Sequence, residues 1–297
     1  MKDIIIVILV ALILGSCSND NTNIGVEKKV QIQKTKNQNI NSKKNEFEKF
    51  TGVWVLSNYI EEIKKTHSPL KSSITLQGLV TLIIENSMNN DSIIVGASLN
   101  NHEGDMFTVY SKKGSLKNTL ITNIIDYEEH SNSYEIGYKV NEKDTSMFLY
   151  HLTPDNKIIE KKEFVKVANK QDDTDAGWGI QKIVNKEILS GNITLIDSTE
   201  KLISTKFNID GTIEGYPDLK TYYILTDFAG SIETYYDGLC FNLYTENQKC
   251  YAMINHNDTI YLYTTIEEKG YEKILLDKVM YKLIKNKIKT ANNVQKQ

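Results

Sequence analysis

The chain has no arginine; all 35 of its basic residues are lysines. Without a guanidinium fork it has no bidentate partner for a phosphate or a guanine edge. That absence argues against a nucleic-acid reader and against phosphoryl transfer. A formal net charge of -3 adds no strong global attraction for a partner of either sign. Cysteine is scarce, at 3 residues, and forms no C-x-x-C or Cys/His zinc pattern. There is no H-E-x-x-H and no G-x-S-x-G elbow. No metal, cofactor or catalytic constellation is therefore expected, and the sequence leans away from an enzyme. Proline is as scarce, at 3, while 17 tyrosines stand among many Ile, Thr and Val residues. That balance points to β structure.

What is present begins with an address. Lys2 is followed by an unbroken apolar run from Ile4 to Leu14. The run is about half of the ~20 residues a membrane-crossing helix needs, and it reads as a secretory signal over residues 1–16. The next residues, Leu14-Gly15-Ser16-Cys17, resemble the lipobox of bacterial lipoproteins. That resemblance implies that Cys17 is acylated with palmitate-type chains and becomes the mature N-terminus. Ser18 stands where an Asp would retain such a protein at the inner membrane, which implies an outer-membrane or cell-surface location. Residues 17–46 are polar and aperiodic, and read as a flexible tether. At roughly 30 residues it spans on the order of 30 Å.

Folded sequence starts near Phe47. Ser57 through Lys65 predicts a short helix with Ser57 as cap, an apolar side of Tyr59, Ile60 and Ile63, and a Glu61/Lys65 pair. Thr66-His67-Ser68-Pro69 ends it. Strands are expected at Leu79–Ile84, Ser92–Ala97, Met106–Tyr110, Thr119–Ile125, Tyr134–Val140, Ser146–Leu152 and Ile158–Val167. A polar break follows at 169–177, then a second helix on Ile180, Ile183, Val184 and Ile188, with Asp175 as cap and Gly191 as stop. Further strands are expected at Ile193–Ile196, Leu202–Phe207, Tyr222–Leu225, Ser231–Tyr235, Leu239–Tyr244, Tyr251–Ile254, Ile260–Thr265 and from Lys273 to Leu283. Residues 286–297 read as a disordered tail. Short strands at this spacing predict an all-β sandwich or barrel over 47–285, with two short helices and two halves of similar plan.

Gly52-Val53-Trp54 is similar to the Gly-x-Trp opening of lipocalins and other calycins, in which the tryptophan plugs one barrel end against a distant arginine. With no arginine here, that lock is expected to be missing. Most of residues 50–285 resembles a family of bacterial lipoproteins with lipocalin-like folds. The matching pieces are Trp54, Tyr59 through Pro69, Asn101-His102-Glu103-Gly104, Val184-Asn185 through Ile188-Leu189-Ser190-Gly191, and the tyrosine-rich C-terminal strands. The resemblance implies an antiparallel, calycin-like barrel and no particular activity.

Cys240 and Cys250 flank a turn-like segment, and read either as a hairpin disulfide or as two buried free thiols. His102-Glu103-Gly104-Asp105 fits a polar hairpin turn, with a metal or general-base site as the sharper alternative. The tyrosines fill a β core or line a cavity. Trp54, His102, Tyr222, Tyr235 and Tyr261 are the candidate ligand contacts. The leading expectation is a cell-envelope lipoprotein, held to the membrane by lipid, that binds a small hydrophobic or amphipathic ligand. The alternatives are a structural or partner-binding surface protein, and a hydrolase of envelope polymers working through His102.

Overall fold

Gly52-Val53-Trp54-Val55-Leu56 is too short for a helix and has no polar side, as a strand buried on both faces requires. In the computed structural model it is the first strand, β1 (Gly52–Leu56), with every residue buried. The structure describes residues 47–286, apart from 90, 141–144, 173–174, 229–234 and 269–272. The expected signal, Cys17, the expected tether, the residues beyond 286 and nearly all of the strand expected at 231–235 lie outside the described residues.

Sixteen strands are seen among the described residues. After β1 come β2 (Leu79–Asn89), β3 (Ser92–Leu99), β4 (Glu103–Lys113), β5 (Thr119–Thr122), β6 (Ser133–Val140), β7 (Thr145–Leu152) and β8 (Ile158–Ala168). Each pairs antiparallel with its sequence neighbour, and β8 returns to β1, closing an eight-stranded barrel. Alternation sorts the side chains: Ile93, Val95 and Ala97 of β3 are buried, whereas Ile94 between them is exposed. Phe107 and Val109 of β4 are likewise buried while Met106 and Tyr110 are exposed.

One barrel end is sealed. Trp54 is fully buried, and its Nε1–H donates to Phe50 O at 2.7 Å. Phe50 meets Tyr138 edge-on with centroids 5.2 Å apart. The chain has no arginine to meet Trp54; Lys166 of β8 lies opposite it, its Nζ 5.6 Å from the indole centroid. Gly52 explains the motif's glycine. At φ 133° a Cβ there would lie 2.4 Å from Lys166 Cε and 2.5 Å from Ala168 O. The lysine stem crosses where a side chain would be.

Helix α1 (Ser57–Thr66) buries Tyr59, Ile60 and Ile63, as expected. Its details differ. Leu56, not Ser57, is the N-cap, no side chain caps it, and Lys65 pairs with Glu62 at 3.3 Å rather than with Glu61. His67 enters the left-handed region at φ 49° and its N–H bonds back to Ile63 O, which stops the helix. Pro69 then starts α2 (Pro69–Ser72), because its fixed φ suits a first helical turn and Ser68 accepts from Lys71 N–H.

The second helix, α3 (Trp178–Val184), continues as a π turn over Asn185–Leu189. Asp175 closes the turn before it by accepting from Gly177 N–H at 2.8 Å; the N-cap itself is Gly177. Gly179 lets α3 lie against the outer face of β1. A Cβ there would stand 2.8 Å from Val53 Cγ1 and 2.9 Å from Val55 Cγ2.

The remaining strands are β9 (Gly191–Asp197), β10 (Leu202–Phe207), β11 (Ile213–Glu214), β12 (Tyr222–Ile224), β13 (Asp237–Phe241), β14 (Lys249–His256), β15 (Thr259–Glu267) and β16 (Ile274–Lys285). They form a second antiparallel sheet in which β16 returns to β9, as β8 returns to β1. Its two edge strands, β11 and β12, are joined by an isolated bridge between Thr212 and Thr221 and by Tyr222 N–H to Gly211 O at 2.7 Å. Phe207, Tyr222, Phe241, Tyr251 and Tyr281 interlock edge-on inside it. Cys240 and Cys250 face each other across β13 and β14 and form a disulfide.

Polar ties join the barrel to the second sheet. Asp237, whose carboxyl burial pushes above the usual aspartate range, accepts from Leu70 N–H at 2.7 Å. At the β3–β4 turn, Asn100 and Asn101 take positive φ, which asparagine tolerates. That turn carries Asn101 Nδ2 to Thr226 O at 2.9 Å and His102 Nδ1 to Asp227 Oδ2 at 2.8 Å.

Candidate functional site

Below the mouth the barrel interior is filled: Trp54, Leu82, Ile136, Met147 and Phe164 are fully buried. An eight-stranded barrel is about wide enough for that, or for one small ligand. At the end away from Phe50 the packing opens into a hollow of about 390 Å³. Its walls are Leu79, Leu99, Phe107, Ile124, Tyr134 and Leu149, drawn from β2 round to β7. Met106 and Tyr127 stand at its edge, 71% and 83% exposed.

The rim is charged because β8 alternates Glu160, Lys162, Phe164 and Lys166 on its inward face. Phe164 and Lys166 reach the packed floor; Glu160 and Lys162 stop at the opening. Lys162 donates through Nζ to Gln77 O, and its Nζ lies 3.9 Å from Glu160. Burial pulls the Lys162 ammonium below the usual lysine range, with Glu160 opposing.

Beside Glu160, on the neighbouring strand β7, His151 stacks flat on Tyr134 with centroids 4.4 Å apart. Its Nε2 meets Asp126 Oδ2 at 2.8 Å. Asp126 also accepts from Asn132 Nδ2 and from the N–H groups of Glu128 and Glu129. With Asn132 as the largest cause, these bonds hold its carboxyl at about 2. The 126–132 loop is thereby fixed, and with it one wall of the mouth. The arrangement suits burying an apolar body while a polar end stays at a charged rim. Among the described residues no cluster of three or more His, Cys, Asp or Glu could hold a metal.

The residues singled out by sequence do not converge here. Trp54 belongs to the sealed end. Tyr222 is buried in the second sheet, its hydroxyl donating to Asn208 O at 2.7 Å. Tyr261 lies on β15 beside Tyr263, and Tyr235 is exposed just before β13. His102 does reach a carboxylate, Asp227, and edges a separate hollow of about 340 Å³. Both partners are about half exposed, and the pair fastens the β3–β4 turn to the second sheet. The residues that make the mouth carry no motif: Glu160 and Lys162 fall within the strand expected at Ile158–Val167, and His151 within the one expected at Ser146–Leu152.

The fold defines a class: an all-β protein with an eight-stranded antiparallel closed barrel, compatible with a lipocalin-like barrel. Comparison with protein families, curated proteins and solved structures finds no match to this chain. Among the described residues no helix is long and apolar enough to cross a membrane.

Proposed function

We propose that the protein is a cell-envelope lipoprotein that binds a small amphipathic ligand in the mouth of its first barrel. Acyl chains on Cys17 would anchor it and residues 17–46 would tether it. The observation that carries the binding reading is the hollow itself, apolar below and charged at the rim. Its volume of about 390 Å³ falls within the ~300–1,000 Å³ common for small-molecule sites. The anchor rests on the lipobox resemblance at Leu14 to Cys17, with Ser18 favouring the outer membrane or cell surface. Two acyl chains suffice for stable attachment, since each buried methylene contributes about 0.8 kcal/mol.

Exposed Met106 and Tyr127 favour a second reading, in which the same rim docks an envelope or surface protein. Native mass spectrometry on protein purified from its own cell envelope separates the two. A releasable adduct of a few hundred daltons, lost when Leu99→Trp fills the mouth, is the expected result. A clean mass for the unaltered protein would remove the ligand reading and leave the partner reading standing. Labelled palmitate should enter the chain and fail to enter Cys17→Ser.

A further inference from the structure

We propose that the second sheet carries its own binding site, for a neutral, hydroxyl-rich ligand of the saccharide class. The site is a groove of about 740 Å³ between α3 and the loops around β10, β11 and β12. It is roomier than the barrel mouth and has a different chemistry. One wall is Trp178 and Gln181 of α3; the facing wall includes Asn208, Asp210 and Tyr223.

The framework is fixed before any ligand arrives. Asn185 Nδ2 donates to Ile209 O at 3.0 Å, Tyr222 donates to Asn208 O, and Asp210 accepts from Thr212 N–H and Oγ1. Asn185 opens the π turn, a distortion often found at functional sites.

The α3 wall holds an acceptor without a donor. A carbonyl can only accept, so Ile209 O fixes which end of the Asn185 amide faces it. Asn185 Oδ1 therefore faces Gln181, accepts from its Nε2 at 2.9 Å, and fixes that amide too. Gln181 Oε1 is left buried and, among the described residues, unpartnered. A hydroxyl brought to Gln181 would offset that cost.

The groove's two lysines already have partners. Lys206 pairs with Glu214 at 3.1 Å, and Lys182 lies over Trp178 with its Nζ 4.5 Å from the ring centroid. An anion finds no free ammonium among these. Carboxylate, carboxamide and aromatic groups together suit hydroxyls and the apolar faces of a sugar ring.

The chain reports on this groove directly. It has 2 tryptophans, of which Trp54 is buried in the barrel and Trp178 lines the groove. The test titrates the full chain with glucose, mannose and N-acetylglucosamine oligomers, reading tryptophan emission and calorimetric heat. Spermidine serves as a cationic control. We expect saturable binding that is insensitive to salt and weakened at least about tenfold, roughly 1.4 kcal/mol, by Trp178→Leu and by Gln181→Met. Both variants should still carry the releasable adduct at the barrel mouth, which separates this site from the one proposed above. No saturable response up to about 10 mM, equal binding by both variants, or binding of spermidine alone would each overturn the proposal.

Discussion

Replacing Gly52 with alanine tests the account of the sealed barrel end most directly. The backbone there sits at φ 133°, a region costing a residue with a Cβ roughly 1–3 kcal/mol. The new methyl would also stand 2.4 Å from Lys166 Cε and 2.5 Å from Ala168 O. Overpacking of that kind adds about 1–3 kcal/mol, so a total loss of about 2–6 kcal/mol is expected. Urea denaturation reads it as a lower midpoint at unchanged slope. A second substitution divides the cause. Lys166→Ala in the Gly52→Ala background frees the flexible stem but leaves the Ala168 carbonyl in place, so only part of the loss should return. Lys166→Met alone should change stability by less than about 1 kcal/mol, because losing a cation–π contact of about 0.5–1 kcal/mol is offset by removing a desolvated ammonium. The ammonium is half-buried and pulled below its usual range by burial alone. A Gly52→Ala protein within about 1 kcal/mol of the parent would refute the reasoning.

Two further outcomes are expected. Reducing the Cys240–Cys250 disulfide, or replacing both residues with serine, should lower stability by about 2–3 kcal/mol, as suits a short closed loop; an unchanged denaturation midpoint would contradict this. The Asp227 hydrogen bond raises the His102 pKa above its ordinary value. Its contribution to stability is therefore present in full below about pH 6.5 and is lost as pH rises through the raised folded value. A histidine ring titration by NMR should show the raised pKa falling back in Asp227→Asn, and the same low value in both proteins would remove the tie.

Much of the strand sequence was legible because period-two alternation is a local property. Ile93, Val95 and Ala97 mark the inward face of β3 without help from any other segment. Helix α1 was legible for the same reason, through Tyr59, Ile60 and Ile63. Its caps were not: whether Ser57 or Leu56 ends the strand depends on how far β1 pairs with β2 and β8. Pro69 was read as a stop, and became a start because Ser68 stood ready to receive Lys71 N–H.

The sequence by itself determined the alternation, the β-rich composition, the glycine before Trp54 and the pairing potential of Cys240 with Cys250. Tertiary structure alone decided which strands close on which, since that depends on contacts between residues such as Val53 and Ala168, far apart in the chain. It also decided that Lys166 covers a tryptophan while Lys162, on the same strand face, guards an opening. Identical side chains were given different work by what lies opposite each: Lys166 faces the Trp54 indole, and Lys162 donates to Gln77 O. The hollow beside Lys162 is a gap left by packing, and a gap has no residues of its own for a sequence to display.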